Sequence, residues 1–337
     1  MFRSGNLFDR IVCFTNLWQA AHKAWRGKKD KTRIAHFYFA LEVELLSLQE
    51  ELQSGSWSPR PYRTFEVFEP KRRKIAAADF RDRVVHHAIM NLLEPVFERS
   101  LISRTFACRL GKGTHAAVRY AQDLGRRHAF FLKCDVQKYF ESMDQSILKT
   151  LLRRHLKDAR LLTLLDRIID HAPPDHAPGK GVPIGNLTSQ HFANLYLSEL
   201  DHFVTDRLAV PGYVRYMDDF LFFGPSKSFL HGIHGEVRQF LADKLSLKLK
   251  ESATLMAPVE QGMPFLGCCV FPGTVRLQPK GAARFRHKTR EREQAFRHGQ
   301  IDEGLLSLSV GSMIGHMAHA DTRSLRQRLF SDSLGLG

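Results

Sequence analysis

Apolar residues recur at two different spacings along the chain, and the spacing predicts the type of each element. Helical spacing near the N-terminus predicts two amphipathic helices, over residues 7–21 and 37–52, the second ending at Ser54-Gly55. Residues 62–70 alternate as a strand does. Later patterns predict helices over 145–156 and 229–245, a strand-like segment over 247–250 and two C-terminal helices between 280 and 319.

Two apolar runs rich in strand-forming residues lead to aspartates. The run Phe130-Phe131-Leu132-Lys133-Cys134 ends at Asp135, and the runs on either side of Asp218-Asp219 are Tyr213-to-Tyr216 and Phe220-to-Phe223. Aromatic and β-branched residues favour strands, so the second pattern predicts a hairpin with Asp218 and Asp219 in its turn.

Neighbouring carboxylates raise each other's pKa unless a cation neutralises them, so this Asp pair predicts a bound divalent metal. An ordinary Asp-rich turn is the alternative. Asp135 at a second strand end favours the metal, because three converging carboxylates supply the hard oxygen ligands that suit Mg²⁺ in two-metal sites.

Composition and charge narrow the class of partner. The chain has 337 residues, of which 43% are hydrophobic, and 50 Lys and Arg against 35 Asp and Glu give a net charge of +15. Such an excess predicts attraction to a polyanion, most plausibly nucleic acid, although an inert basic surface is the alternative. No apolar run approaches the length of a membrane span, and the first residues lack a signal peptide's apolar core. We therefore expect a cytoplasmic protein that is not bound to a membrane.

The five cysteines are odd in number and show no Cys-x-x-Cys spacing. This pattern favours free thiols in a reducing compartment over a zinc site or a disulfide framework.

Three motifs together resemble a known family. Asp135 is followed five positions later by the aromatic Phe140, and Tyr216-Met217-Asp218-Asp219 has the form Tyr-x-Asp-Asp. Both resemble the palm motifs of reverse transcriptases. Most reverse transcriptases carry Gln-Gly-x-x-x-Ser-Pro between these motifs, whereas this chain has Ile184-Gly185-x-x-x-Ser189-Gln190. That variant resembles the reverse transcriptases of diversity-generating retroelements, and the resemblance covers residues 60 to 320.

The resemblance implies an α+β right-hand polymerase with fingers, an antiparallel-sheet palm and a helical thumb. The implied boundaries are an N-terminal helical extension over 1–60, fingers with part of the palm over 61–125, palm over 126–272 and a basic thumb over 273–337. The implied reaction is RNA-directed DNA synthesis with two Mg²⁺ ions, for which Mn²⁺ is a substitute. The implied role is mutagenic retrohoming, in which adenine-mutagenised cDNA is copied from a template-repeat RNA. Implied partners are template RNA, the RNA/cDNA duplex, dNTPs and a small basic oligomeric accessory variability protein.

The resemblance also assigns roles to residues. Asp135, Asp218 and Asp219 would be catalytic and hold metal together with Val136. The implied dNTP-binding residues are Lys71, Arg73, Phe140, Ile184 and Gly185. Of these, Lys71 and Arg73 would grip the triphosphate. Because four consecutive residues here are basic, an assignment of this pair shifted by one residue is the alternative. Phe140 would exclude a 2′-hydroxyl sterically, and Ile184, which lacks an amide, would loosen base selection; core packing is the alternative for each.

The implied template and primer contacts lie along most of the chain. They are Arg81, Arg83, Arg109, Ser189, Gln190, Tyr216, Met217, Phe265, Leu266, Gly267, Arg284 and Lys288. For Asp82 and Arg83 a structural ion pair is equally plausible. A lysine that protonates pyrophosphate is expected at Lys248 or Lys250, which the sequence does not separate.

Three other functions compete with this one. The first is a reverse transcriptase of a retron, a group II intron or a phage-defence system. The second is a non-catalytic RNA-binding scaffold, which the intact Asp135, Asp218 and Asp219 disfavour. The third is a DNA-templated or RNA-making polymerase of similar architecture, which Phe140 disfavours.

Overall fold

The computed structural model describes residues 3–26, 32–68, 72–173 and 175–327. Among them, no helix is both long enough and apolar enough to cross a bilayer. The helices are α1 (Phe8–Val12), α2 (Phe14–Trp25), α3 (Thr32–Phe39), α4 (Leu41–Ser54), α5 (Phe80–Glu98), α6 (Thr114–Gly125), α7 (Tyr139–Ser142), α8 (Gln145–His155), α9 (Ala159–Asp170), α10 (Leu187–His202), α11 (Lys227–Leu245), α12 (Pro279–Arg297) and α13 (Glu303–Met317). The strands are β1 (Arg63–Val67), β2 (Arg73–Ala77), β3 (Phe130–Asp135), β4 (Gly212–Tyr216), β5 (Asp219–Gly224), β6 (Leu255–Pro258), β7 (Met263–Phe265), β8 (Cys268–Val270) and β9 (Val275–Leu277).

The chain forms two compact units whose segments alternate in sequence. Unit 1 contains Met1–Ser103, Val136–Arg207 and Val237–Leu249, and unit 2 contains Arg104–Asp135, Leu208–Glu236 and Lys250–Gly337. The predicted boundaries of fingers, palm and thumb are contiguous in sequence instead, and they stay a prediction.

Unit 1 is mostly helical, with one two-stranded antiparallel sheet of β1 and β2. Helix α5 is largely buried, because apolar side chains from Val84 to Phe97 lie on several of its faces. Asp79 begins this helix by accepting a hydrogen bond from the Arg81 backbone N–H. An aspartate in that place satisfies an amide that the helix itself leaves unpaired.

Unit 2 is built on a four-stranded antiparallel sheet in the order β4-β5-β3-β6. Side chains of β3, β4 and β5 are buried on both faces of the sheet. One face packs with α6 and with a second, three-stranded sheet of β7, β8 and β9, in a core that includes Phe131, Leu221, Phe223 and Phe265.

Several predicted elements differ from the structure at their ends. Each of the two predicted N-terminal helices is two helices in the structure: the first is divided at Cys13 and the second at Ala40. The strand-like segment 247–250 is not a strand, since it forms only an isolated bridge between Leu249 and Val136. Alternation in four residues does not distinguish an extended loop from a paired strand.

Candidate active site

The Tyr-Met-Asp-Asp motif forms the hairpin that joins β4 to β5. Tyr216 pairs with Asp219, so the loop consists of Met217 and Asp218 alone. The prediction that Asp219 lies in the turn is therefore wrong: Asp219 is the first residue of β5. Met217 has a φ of 56°, a conformation that matches the twist of a two-residue hairpin loop and costs a non-glycine residue some strain.

The sheet brings Asp135 and Asp219 together. They are directly opposite each other in the β3–β5 pair, and Asp218 precedes Asp219 at the tip of the hairpin. Side chains of directly paired residues point to the same face of a sheet, so the two carboxylates share one face. Val136, the predicted fourth metal ligand, follows Asp135 in the chain and is buried, and its role stays a prediction.

Asp219 lies in surroundings that are unfavourable for an isolated anion. Burial raises the pKa of Asp219 to about 6. The nearby carboxylates of Asp135 and Asp218 also raise this pKa, whereas the Lys133 ammonium group lowers it. Its Oδ2 lies 3.0 Å from the Lys133 Nζ, whereas its Oδ1 is buried without a hydrogen-bond partner. A buried carboxylate oxygen that nothing satisfies fits a cation ligand. Within the described ranges, no three or more His, Cys, Asp or Glu side chains are already gathered as a metal cluster.

Other side chains hold the hairpin in place. The buried Arg215 donates from its guanidinium to the Met217 carbonyl at 3.0 Å, and its backbone pairs with that of Arg104 and Phe106. The Thr114 hydroxyl donates to the Tyr216 hydroxyl at 3.2 Å. The roles of Arg215 and Lys133 were not predicted from the sequence, although each is a charged residue inside an otherwise apolar strand pattern, which is the signal that could have indicated them.

The basic segment of the predicted fingers lies at the β1–β2 hairpin. Lys71 lies outside the described residues, and Arg73 is exposed at the start of β2. Arg72 pairs with Glu66 at 2.7 Å and Lys74 with Asp175 at 3.2 Å. Exposed pairs of this kind contribute little to stability, so their side chains are readily released.

The structure does not support Arg81 as a contact of template phosphate. Its side chain is 7% exposed, and its guanidinium pairs with Glu51 at 2.5 Å and with Glu44 at 3.4 Å. Arg83 donates to the Ala24 carbonyl at 2.8 Å, while the carboxylate of Asp82 accepts the Arg60 backbone N–H at 2.8 Å. Asp82 and Arg83 therefore bond to backbone groups, and not to each other in the ion pair that the sequence offered as the alternative.

The Ile184-Gly185 loop packs on β2. The Ala76 N–H donates to the Ile184 carbonyl at 3.0 Å, and a Cβ on Gly185 would meet the Ile75 Cγ2 at 2.9 Å. Gly185 also has a φ of 119°, so glycine is required for both reasons. The Ile184 side chain is half-buried and lines a small pocket with Thr64, Lys74, Ala76, Glu141, Pro173, Asp175 and His176.

Phe140, Ser189 and Gln190 differ in how far their side chains are buried. Phe140 lies half-buried in α7, and its carbonyl accepts the Val182 N–H at 2.8 Å. Ser189 is buried in α10 with 2% exposure, a placement that does not favour the predicted contact with nucleic acid, and Gln190 beside it is half-buried.

Two other predicted contact segments form compact turns in unit 2. Arg109 donates to the Thr105 hydroxyl at 2.6 Å, just before α6. Leu266 and Gly267 have positive φ angles and form the two-residue loop between β7 and β8. Phe265 is fully buried, so its side chain belongs to the core and not to the surface.

The remaining predicted contacts lie in basic or polar segments. Arg284 is exposed and Lys288 half-buried on α12. The Lys250 N–H donates to the Asp135 carbonyl at 2.8 Å, whereas the Lys248 carbonyl accepts from Gln137. Both bonds involve backbone atoms only, so they do not separate the two lysines as the one that acts near pyrophosphate.

Comparison with known proteins identifies the family. The model of the reverse transcriptase (RNA-dependent DNA polymerase) family matches residues 69–270, a range that includes all three aspartates. The chain belongs to the reverse transcriptase family. This reverse transcriptase is therefore an RNA-directed DNA polymerase by family.

Two relatives show how far the similarity reaches. The reverse transcriptase is 28% identical over 272 residues to protein YkfC of Escherichia coli K12, covering 67% of this chain and 71% of that protein. It is 23% identical over 200 residues to the group II intron-encoded protein LtrA of Lactococcus lactis, covering 57% of this chain and 33% of that protein. The chain thus spans about a third of the length of the intron protein.

A solved structure shows the fold. Apo telomerase from Candida tropicalis matches with a TM-score of 0.50 and 10% identity, covering 71% of this chain and 54% of that chain. The predicted right-hand polymerase fold is confirmed, together with the predicted mixture of helices and antiparallel sheets.

Proposed function

We propose that this reverse transcriptase serves a diversity-generating retroelement and makes error-prone, adenine-mutagenised cDNA from a template-repeat RNA for mutagenic retrohoming. The observation that carries the proposal is Ile184 in the Ile184-Gly185-x-x-x-Ser189-Gln190 motif, in place of an amide side chain. Its loop packs against β2, a strand of the basic hairpin assigned to the fingers, and this supports a position that affects the incoming nucleotide.

The reaction joins the primer 3′-hydroxyl to the α-phosphate of a dNTP and releases pyrophosphate. Asp135, Asp218 and Asp219 would hold two Mg²⁺ ions, or Mn²⁺ as a substitute. When bound, these ions supply positive charge to the attacking and leaving oxygens. Arg73 and Lys71 would neutralise the triphosphate from the fingers, because arginine and lysine pair well with phosphate oxygens. Lys248 or Lys250 would give a proton to the leaving pyrophosphate.

Two side chains of unit 1 would set substrate selection. Phe140 would exclude NTPs, since a ring beneath the sugar clashes with a 2′-hydroxyl. Ile184 would weaken selection of the base, because its apolar side chain offers no hydrogen bond to order the template or the primer strand.

The proposal includes partners and a location. Template RNA and the growing RNA/cDNA duplex would be held by the basic α12 through phosphate contacts, which do not depend on sequence. A small basic accessory variability protein would complete the complex. Free thiols at Cys13, Cys134, Cys268 and Cys269 fit a reducing compartment, which supports a cytoplasmic location.

The test is primer extension on an RNA template with Mg²⁺ and dNTPs, with and without the accessory protein, followed by sequencing of the products. We expect errors concentrated opposite template adenine. Ile184→Gln should reduce these errors, whereas Ile184→Leu, which keeps an apolar side chain, should not. An unchanged error spectrum in the Gln variant would remove Ile184 from the mechanism.

The second candidate is a reverse transcriptase of the group II intron type, which the similarity to LtrA favours. Accurate extension at template adenines would support it. Neighbouring genes also separate the two, because only a retroelement that diversifies a gene needs paired template and variable repeats nearby.

A further inference from the structure

Lys133 is a charged residue in the middle of an apolar strand. It lies on β3 two residues before Asp135, so both side chains point to the same face of the sheet. Leu221 and Leu255 are opposite Lys133 on the two neighbouring strands. The Lys133 side chain is 16% exposed, which is low for a lysine. A buried ammonium group requires partners that compensate for its lost hydration.

The Lys133 ammonium group has two such partners. Its Nζ lies 3.0 Å from the Asp219 Oδ2 and donates to the Pro264 carbonyl at 2.8 Å. Pro264 belongs to β7, in the hairpin that the family resemblance assigns to gripping the primer. A single side chain therefore connects a catalytic carboxylate to that hairpin.

The bond to Lys133 also orients the carboxylate of Asp219. With Oδ2 held by the ammonium group, Oδ1 is the oxygen left without a partner. A carboxylate that is fixed at one oxygen presents the other in a defined direction, as hydrogen-bonded outer partners do for metal ligands in general. Rotation of the Asp219 side chain would break the bond to Lys133.

We propose that Lys133 is a positioning residue of the polymerase reaction: it fixes Asp219 so that Oδ1 is presented to a metal ion, and it couples this carboxylate to the β7–β8 hairpin. This inference rests on the proposed metal-dependent polymerase function. A displacement of the hairpin, as when a primer terminus is misplaced, would move Lys133 and with it Asp219.

The experiment compares Lys133→Met, which removes the ammonium group and keeps most of the side-chain volume, with Lys133→Arg. The matched control is Lys227→Met, at an exposed lysine at the start of α11. Single-turnover primer extension should show a maximal rate reduced about 10- to 100-fold in Lys133→Met, with an unchanged KM for dNTP. Lys133→Arg should retain more of the rate, and the control should match the unsubstituted chain.

Two measurements do not depend on activity. Hydrogen exchange of the backbone amides between Met263 and Val270 should become faster in Lys133→Met but not in Lys227→Met. The rise in unfolding temperature on adding Mg²⁺ should be smaller in Lys133→Met, because Asp219 is no longer oriented. Both would be recorded on the full chain without nucleic acid.

The outcomes separate this inference from the polymerase assignment. A folded Lys133→Met with an unchanged rate, or with a reduced rate but unaltered exchange and Mg²⁺ response, would overturn the positioning role. If Lys133→Met does not fold, Lys133→Gln, which keeps a hydrogen-bond donor but not the charge, takes its place: a folded Gln variant that matches the unsubstituted chain in rate, exchange and Mg²⁺ response would overturn the positioning role. If the unsubstituted chain does not extend a primer even with the accessory protein, the polymerase proposal fails, while the exchange and Mg²⁺ measurements still test the coupling.

Discussion

The β4–β5 hairpin carries Asp218 in its loop and Asp219 at the start of β5, and its strands are buried along most of their length, whereas the β1–β2 hairpin exposes every residue of β1. The first is fixed by partly buried hydrogen bonds from Arg215 to the Met217 carbonyl and from Lys133 to Asp219. The second is held at its base by the Ala76–Ile184 bond and carries exposed ion pairs. Under the proposed function, carboxylates that need a precise geometry lie on buried strands, and cations that would meet a mobile triphosphate lie in solvent.

The largest expected effect tests the buried hairpin. Asp219→Asn keeps the shape of the side chain but removes the charge that a metal ion needs, so the extension rate should fall on the order of 10³-fold. The control is Asp123→Asn, at an exposed carboxylate paired with Arg126. Circular dichroism should show both variants folded, and an Asp219→Asn variant that still extends primers at near the normal rate would contradict the assignment.

A smaller effect is expected at the exposed hairpin. Arg73→Ala should raise the KM for dNTP by about 10- to 100-fold, as expected for loss of charge-assisted bonds to phosphate, and should leave the unfolding temperature unchanged. Arg72→Ala is the matched control, because Arg72 is the exposed neighbour that pairs with Glu66. If Arg72→Ala has the larger effect on the KM, the triphosphate-gripping pair is shifted by one residue.

The anchor of the exposed hairpin can be tested through its stability. Burial raises the pKa of Asp82, which accepts the Arg60 N–H near the start of β1, to about 6. A raised folded-state pKa gives stability that is complete below the unfolded value and is lost as the pH rises through about 6. Asp82→Asn, which is neutral at every pH, should therefore be more stable than the unsubstituted chain at pH 7.5 by up to about 3 kcal/mol, measured by urea unfolding. The difference should disappear near pH 4, and a difference independent of pH would exclude Asp82 titration as its cause.

The mildest perturbation is acid applied to the unsubstituted chain. Because burial raises the pKa of Asp219 to about 6, a proton competes with Mg²⁺ below that pH. The Mg²⁺ concentration for half-maximal extension should rise about fourfold between pH 7.5 and pH 5.5. A half-maximal concentration that stays constant over this range would show that Asp219 is already ionised without metal.

The same two hairpins show what the sequence can predict. Alternating and aromatic runs correctly predicted β1, β3, β4 and β5, since strand propensity and a short loop are local properties. The predicted loop of the β4–β5 hairpin was shifted by one residue, because its position depends on the pairing of Tyr216 with Asp219 across the hairpin. Register depends on tertiary contacts that local propensity does not contain.

Charged residues inside the fold were harder to interpret. Arg81 was expected to meet phosphate, but its partners Glu44 and Glu51 lie on α4, far earlier in the chain. Lys133 was not recognised because its partners, Asp219 and Pro264, follow it by many residues. A basic residue within an apolar pattern shows that compensation must exist, but the sequence does not show which acid or carbonyl provides it.

The order of strands in the catalytic sheet also has a consequence for biosynthesis. Strand β3 comes from the segment Arg104–Asp135, β4 and β5 from Leu208–Glu236, and β6 from the segment that begins at Lys250. Pairing between such distant segments cannot start until the later strands have left the ribosome. A nascent chain interrupted before β5 contains Asp135 but not Asp219 on the strand opposite it, so translation products that end before β5 should be catalytically silent.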